Sequence, residues 1–334
     1  MKILFYNPTC GFGIEQIGYV YTLMLKRLGH DVELWNTQGR DIRKEKIKPR
    51  IATGGFDAII LNSARKKEVL EMITEPTKNV YAITHTSEPL PDFVFRLSLN
   101  YLSQYRILSK NNRASKMMPI TYPYSFRDIE FNKRRENDFV FIGRWNKYKF
   151  HPKVKDFMIE KEIKIKKAYL SEIEEGYKFN NLIEKYKTNK SITEVYKLLK
   201  KSKFLLLPST TESISLVAGE ALVNGCIPIV YEDERKIHEQ FINCISASSA
   251  NNFNKKISEL KNKGVSNQLR KRVFNFSNKN WSLSKSLSEL ELIFGKEKEG
   301  NINLAFEEYS DKKRDSYKDC LPYDNATKIT KTSL

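Results

Sequence analysis

Residues 206–230 read LLPSTTESISLVAGEALVNGCIPIV. This pattern predicts a buried strand that ends at Pro208, a polar loop, a helix that starts near residues 213–215, and a second buried strand. The pair Asn224-Gly225 marks the end of the helix, because glycine readily adopts the left-handed conformation that follows many helices. A strand, a helix and a strand in this order indicate a βαβ unit in a parallel sheet.

The same alternation of short apolar runs and helical patterns continues on both sides of this unit. The chain has 334 residues, more than one hydrophobic core usually organises, and residues 127–137 form a polar, charged link between two series. The sequence therefore predicts an α/β fold with two Rossmann-like domains, residues 1–130 and 137–295, whose parallel sheets face each other across a cleft. Residues 296–334 are predicted to form a polar tail.

Strands and helices can be assigned within each series from the apolar pattern. The predicted strands are residues 2–6, 31–35, 57–62, 79–83 and 105–109 in the first series, and 138–142, 163–169, 203–207, 227–231 and 243–246 in the second. Predicted helices of the second series are residues 153–160, 177–186, 193–201, 215–224, 251–263 and 282–294.

The formal net charge of +18 raises the question of a polyanionic partner, either nucleic acid or an anionic membrane surface. Lysine outnumbers arginine by more than two to one, and the basic residues are spread along the chain, which is typical of solvated helix faces. A membrane-surface or nucleic-acid contact is therefore the less favoured interpretation. The sequence carries no signal for an oligomeric state.

The four cysteines are far apart and contain no CxxC pair, which argues against a disulfide framework and a zinc site. The N-terminal apolar stretch is shorter than that of a signal peptide, and no run approaches the roughly 20 apolar residues that span a bilayer. We therefore expect a cytoplasmic protein, with a peripheral contact at the inner membrane face as an option.

Two stretches outside the opening motif carry candidate anion-binding residues. The turn after the first predicted strand contains Gly11 and Gly13, which would let backbone N–H groups approach a phosphate, although a plain tight turn explains them equally well. The strand at 138–142 is followed by Gly143-Arg144 and then by Lys147 and Lys149. Arginine can bind a diphosphate through two parallel hydrogen bonds, and lysine adds a compact charge.

The opening motif contributes two carboxylates on either side of a helix start. Glu212 lies just before the predicted helix, and Glu220 lies about two turns along it. The first N–H groups of the helix can bind an anion, and a carboxylate suits the paired hydroxyls of a ribose or hexose. Small residues beside Glu220 favour close backbone packing over a solvated helix face.

The pattern Pro-Ser-x-x-Glu…Glu-Ala-x-x-x-Gly-x-Pro-Ile-Val, with seven residues between Glu212 and Glu220, resembles the retaining glycosyltransferases of the GT-B fold, family 4 (group 1). Gly143-Arg144 with Lys149 is similar to the diphosphate clamp of that family. His85, after the predicted strand 79–83, stands where the family often has a histidine near the donor sugar.

The resemblance implies transfer of a hexose-type sugar, with retention and without a metal ion, from a nucleoside diphosphate sugar to a saccharide or lipid-linked acceptor. The donor would be a UDP- or GDP-sugar, and no other cofactor is implied. The implied catalytic residues are Glu212, His85, Arg144 and Lys149. The implied donor-binding residues are Gly11, Gly13, Gly143, Ser213, Ile214, Ser215, Leu216 and Glu220, of which Glu220 would contact the ribose.

This sequence departs from the family pattern at three places. Phe150 replaces the glycine that usually follows the clamp lysine, so that Lys147 is an alternative to Lys149. The tripeptide at 213–215 is Ser-Ile-Ser where the family usually has Gly-Phe-Gly, and the first loop lacks the usual pair of glycines.

Two other functions fit the same residues. One is a DNA base glucosyltransferase of the phage type, whose acceptor face would be a basic groove. The other is a protein that binds sugar nucleotides or polyanions without catalysis.

Overall fold

The computed structural model describes residues 1–9, 12–38, 44–73, 79–84, 89–99, 108–110, 116–124, 131, 133–179, 181–188, 190–210, 215–231 and 245–295. The chain forms two compact units. Met1–Pro123 and, of the later described residues, 283–295 belong to the first unit, and Tyr124–Ser282 belongs to the second.

The first unit contains a parallel sheet of six strands in the order β2-β1-β3-β4-β5-β6. The strands are β1 Lys2–Thr9, β2 Asp31–Gln38, β3 Ala58–Asn62, β4 Val80–Thr84, β5 Val94–Ser98 and β6 Met117–Pro119. The helices between them are α1 Phe12–Arg27, α2 Lys44–Thr53 and α3 Lys66–Met72. All five residues of β3 are buried, as expected of a central strand of a parallel sheet.

The second unit contains another parallel sheet, in the order β12-β11-β10-β7-β8-β9. Its strands are β7 Asn137–Trp145, β8 Lys167–Ile173, β9 Tyr186–Thr188, β10 Ser202–Leu207, β11 Ile227–Tyr231 and β12 Ile245–Ala247. Its helices are α4 Pro152–Glu160, α5 Ile192–Lys200, α6 Leu216–Val223, α7 Ala250–Lys263 and α8 Asn267–Asn280. The predicted α/β class with two Rossmann-like parallel sheets is thus confirmed.

The helix α9, Leu283–Phe294, belongs to the first unit, whereas the sequence groups residues 283–295 with the second. The Glu289 carboxylate accepts hydrogen bonds from the backbone N–H (2.6 Å) and the hydroxyl (3.0 Å) of Thr121. The Ser286 hydroxyl donates to the carbonyl of the same threonine at 2.7 Å. The sequence pattern cannot reveal this, because the bonds join residues more than 160 positions apart.

Several predicted elements need correction. Leu108 and Ser109 are helical rather than part of a strand at 105–109, of which residues 105–107 lie outside the described residues. Instead, β5 and β6 supply the last strands of the first sheet. No helix forms over the described residues 177–179 and 181–186, where the rings of Tyr177 and Phe179 pack against Trp145 instead of lining one helical face. The helix α8, capped by the Ser266 hydroxyl, was not predicted.

The order of each sheet creates one point at which successive strands are added in opposite directions. These switch points lie between β1 and β3 in the first sheet and between β7 and β10 in the second. Ligands of open α/β sheets bind at the carboxyl ends of the strands beside such a point.

Candidate functional site

The second switch point joins two of the motifs found in the sequence, since Gly143-Arg144 ends β7 and Pro208 follows β10. The loops after these strands are hydrogen-bonded to each other. The Tyr148 carbonyl accepts from the Thr210 backbone N–H at 2.9 Å and from the Ser209 hydroxyl at 3.2 Å. The two motifs therefore form one continuous surface at the carboxyl edge of the second sheet.

Gly143 and Arg144 lie at an irregular end of β7. Gly143 has φ +148°, and the register with β8 shifts between Gly143 and Trp145. The Arg144 side chain is 57% exposed, and its guanidinium lies 3.9 Å from the Glu172 carboxylate. An ion pair this exposed contributes little free energy, so an anionic ligand can replace Glu172 at small cost.

Below this loop lies an aromatic cluster that explains the departure at Phe150. Phe150 and Trp145 are completely buried, with ring centroids 4.7 Å apart, and Phe141 packs edge-on against both. The indole N–H of Trp145 donates to the Tyr177 carbonyl at 2.8 Å. Phe150 thus supports the loop from inside, and Trp145 is a packing residue that is too buried to stack on a base.

The two candidate lysines differ in their surroundings. Lys147 is exposed, and its ammonium group lies 5.3 Å from the centre of the Tyr148 ring. Lys149 is half-buried, and its backbone N–H donates to the Asn146 side-chain oxygen at 2.8 Å. Lys147 and Lys149 thus lie on the same turn after Arg144, but of the two only Lys147 is exposed.

The N-terminus of α6 carries a buried hydroxyl. Ser215 is the residue before α6, is 3% exposed, and its hydroxyl has no hydrogen-bond partner among the described residues. Leu216, half-buried, is the first residue of the helix. The predicted site residues Glu212, Ser213 and Ile214 lie outside the described residues. A buried hydroxyl without a partner at a helix N-terminus is a group that a ligand oxygen can satisfy.

Glu220 lies in the middle of α6 and is 6% exposed. Burial raises the pKa of the Glu220 carboxyl to about 7. The preceding Gly219 faces the ring of Tyr124: a Cβ atom at this position would lie 2.0 Å from Tyr124 Cζ. Burial and then the negative charge of Glu220 raise the pKa of the Tyr124 phenol well above its usual value. The sequence did not single out Tyr124, because its neighbours in the chain show nothing of this contact.

The opposite end of α6 is fixed by a buried arginine that the sequence also missed. The Arg135 guanidinium donates to the carbonyls of Leu199 (3.1 Å) and Lys200, at the end of α5, and to that of Asn224 (3.3 Å), at the end of α6. Burial and the nearby charge of Arg270 lower the pKa of Arg135 to about 10.

A separate surface cavity of about 420 Å³ lies at the amino end of β7, away from the motifs. Its lining residues are Arg134, Arg135, Glu136, Asp138 and Lys203. Lys203 is paired there with Asp138, and Glu136 is paired with Lys201 at 2.9 Å.

At the first switch point, Gly13 lies in the first turn of α1, whereas Gly11 and His85 lie outside the described residues. Asn7 and Asn62, at the ends of β1 and β3, are fully buried, and the Asn62 amide donates to the Asn7 side-chain oxygen at 2.8 Å. Asn62 also donates to the Ile14 carbonyl at 2.7 Å. This amide pair therefore fixes the first turn of α1. In the sequence, only the position of each asparagine near a strand end points to it.

Over the described part of the chain, no group of three or more His, Cys, Asp and Glu side chains is arranged to hold a metal ion. No described helix has the length and apolar character needed to cross a membrane.

No protein-family model and no curated protein sequence matches the chain. Solved structures do. A glycosyltransferase from Rickettsia africae superposes with a TM-score of 0.64 at 13% identity, over 87% of this chain and 97% of that one. HepE from Anabaena, solved with UDP and glucose, superposes with a TM-score of 0.62 at 13% identity, over 88% of this chain and 99% of that one.

An α-glucosyltransferase solved with UDP-glucose and DNA gives a TM-score of 0.56 at 13% identity, over 87% of this chain and 98% of that one. The chain in the GtfA/B complex is longer: this chain spans 56% of it, with a TM-score of 0.52 at 15% identity over 71% of this chain. The order of the two parallel sheets and these superpositions show the same architecture. The chain therefore has the two-sheet GT-B fold of these glycosyltransferases.

Proposed function

We propose that this protein is a glycosyltransferase that binds a nucleoside diphosphate sugar at the carboxyl ends of β7 and β10 and transfers the sugar with retention of configuration. One observation carries the proposal. The switch point of the second sheet pairs the strand that ends at an exposed arginine with the strand that leads to α6. This helix begins at a buried hydroxyl with no hydrogen-bond partner among the described residues, and it carries a buried carboxylate. Each of these groups matches one part of such a donor.

The diphosphate would lie between Arg144 and the start of α6. Arg144 forms a weak, exposed ion pair with Glu172, and Lys149 lies on the turn that hydrogen-bonds to the loop after β10. The Ser215 hydroxyl and the first N–H groups of α6 add hydrogen-bond donors, and the first turn of this helix contains no acidic residue that would repel an anion. The predicted contacts of Gly143 and Leu216 belong to this part of the site.

The nucleotide ribose would contact Glu220. An ionised carboxylate accepts hydrogen bonds from two vicinal hydroxyls, and a buried carboxylate gains most from such partners because it has lost its contacts with water. UDP and GDP carry the same ribose and diphosphate, and the UDP present in superposed structures favours UDP as the first donor to test.

The chemical step transfers the anomeric carbon from one oxygen to another. Its bond to the β-phosphate oxygen breaks, and the electron pair remains on the phosphate, while the acceptor oxygen forms the new bond and releases its proton to the leaving diphosphate or to water. Negative charge therefore grows on the diphosphate, where Arg144, Lys149 and the α6 N-terminus would stabilise it. Glu212 and His85 would contact the sugar, and no metal ion is required in this scheme.

The test is a panel of UDP- and GDP-sugars, with binding measured by calorimetry and nucleotide release measured with saccharide and lipid-linked acceptors. Arg144→Ala and Glu220→Gln should each weaken donor binding at least about tenfold, the loss of one charge-assisted interaction. Arg134→Ala is the matched control, because it removes an exposed arginine at the amino end of the same strand. Equal effects of Arg134→Ala and Arg144→Ala would contradict the proposal. Donor binding without turnover on any acceptor would favour the non-catalytic binding protein.

A DNA acceptor is the second candidate. The net charge of +18 and the superposition with an α-glucosyltransferase bound to DNA favour it over other acceptors of high negative charge. Such an acceptor predicts binding to duplex DNA that falls steeply with salt, and sugar transfer to that duplex. Transfer to a neutral saccharide at a rate independent of salt would exclude it. An anionic membrane surface makes a different prediction, namely sedimentation with anionic but not neutral vesicles.

A further inference from the structure

Over the described residues, the chain passes between its two units at the peptide bonds Pro123–Tyr124 and Ser282–Leu283. Next to these bonds, Tyr124 and Trp281 are directly connected within the second unit. The Tyr124 backbone N–H donates to the Trp281 carbonyl at 3.1 Å, and their rings meet edge-on with centroids 5.8 Å apart. Both side chains are buried. On the side of the second unit, this pair of aromatic residues therefore connects the two crossing segments.

The same tyrosine lies against the helix that carries the candidate donor carboxylate. The space that a Cβ atom at Gly219 would need is occupied by Tyr124 Cζ at 2.0 Å and by the phenol oxygen at 2.3 Å. Gly219 precedes Glu220 in the chain, so the ring lies against the α6 backbone one residue from the one that carries the carboxylate. A residue with any side chain at position 219 could not make this contact.

We propose that Tyr124 is a positioning residue for Glu220, and that it joins the donor site to both crossing segments. The inference rests on the proposed function, since it assumes that a nucleoside diphosphate contacts Glu220. A rigid aromatic ring in direct contact with a helix backbone fixes the helix position, because close-packed interiors do not deform continuously. Movement of α6 on donor binding must then displace Tyr124, and with it the bond to Trp281.

A double-mutant cycle on UDP affinity tests the positioning role. Tyr124→Leu should weaken UDP binding about tenfold in the wild-type background but less than about twofold in the Glu220→Gln background, because coupled residues are not additive. Tyr124→Phe keeps the ring and should restore wild-type affinity. Tyr122→Leu is the matched control: this buried tyrosine lies two positions away in the first unit, where its hydroxyl accepts from Gln16, and its effect should be additive with Glu220→Gln.

Trp281 provides a second measurement that requires no substitution at Tyr124. Trp281 is in ring contact with Tyr124, whereas Trp145 packs against Phe150 and Phe141, and Trp35 lies on β2 of the first unit. A UDP-induced change in tryptophan emission should therefore come from Trp281. The change should persist in Trp35→Phe and vanish in Trp281→Phe, while calorimetry shows UDP bound in all three proteins.

The outcomes separate the two proposals. Non-additive affinities together with a Trp281-dependent emission change support the positioning role. If UDP binds but the Tyr124→Leu effect is additive, or the emission is unchanged, the positioning role is wrong and the proposed function stands. If neither UDP nor GDP binds, the proposed function and this inference are both overturned.

Discussion

Arg135 directs both terminal nitrogens of its guanidinium at the Asn224 carbonyl, each at 3.3 Å, and so closes the C-terminal end of α6. The same group binds the last carbonyls of α5. Cationic groups are favourable at helix C-termini, and two such termini offset part of the cost of burying this charge.

Arg135→Ala should therefore lower the free energy of unfolding by about 3 kcal/mol, because buried carbonyls lose their donors. Urea denaturation would measure the change. Arg134→Ala, at the exposed neighbouring position, should alter stability by less than about 0.5 kcal/mol. Arg135→Lys should not restore stability, because an ammonium group cannot reach several carbonyls in one plane. Wild-type stability in Arg135→Ala would show that these bonds contribute nothing.

Gly219→Ala should destabilise the second unit by about 1–3 kcal/mol, the usual cost of overpacking, because the added methyl group overlaps the Tyr124 ring. Thermal unfolding would measure it. The double variant Gly219→Ala with Tyr124→Leu should recover part of the loss, since a smaller side chain relieves the overlap. Full additivity of the two substitutions would mean that the contact with Tyr124 is not the cause.

Glu220 should make the stability of the ligand-free protein depend on pH. The pKa of Glu220 in the folded protein is about 7, above the ordinary value of 4.5. The stabilising contribution of its protonated form is therefore fully present below pH 4.5 and is lost as the pH rises through 7. The loss is on the order of 3 kcal/mol. Glu220→Gln should remove this dependence in urea denaturation at a series of pH values. In the same range, UDP affinity should rise with pH if the ionised carboxylate binds the ribose, whereas affinity independent of pH would contradict that contact.

His30 should give the opposite pH dependence in the first unit. Its Nε2 lies 2.9 Å from the Gly295 carbonyl, and its Nδ1 lies 3.4 Å from the N-terminal ammonium group. Burial and then this positive charge lower the pKa of His30, so stability is present above pH 6.5 and is lost as pH falls towards the folded value. His30→Gln should flatten the stability profile on that side. If the stability of His30→Gln falls with decreasing pH as much as that of the wild type, other groups cause the fall.

The local signals in the sequence predicted much of the fold. The apolar runs gave β1, β10 and β11 at nearly their observed positions, and Asn224-Gly225 ends α6 as predicted, with Gly225 at φ +67°. These features are local, because apolar runs and left-handed glycines act through neighbouring residues. They sufficed to predict two parallel sheets and a candidate donor site on the second.

Contacts between distant residues decided the rest. The order of the sheets, which places β7 beside β10, brings the Arg144 turn against the loop that leads to Ser215. The burial of Trp145, the contact of Tyr124 with Gly219 and the return of α9 to the first unit likewise depend on how separate elements pack. The sequence by itself determined most of the strands and helices and which residues carry charge at their ends. Only the tertiary structure decided which of those ends meet, because packing free energy depends on residues that the chain does not hold close together.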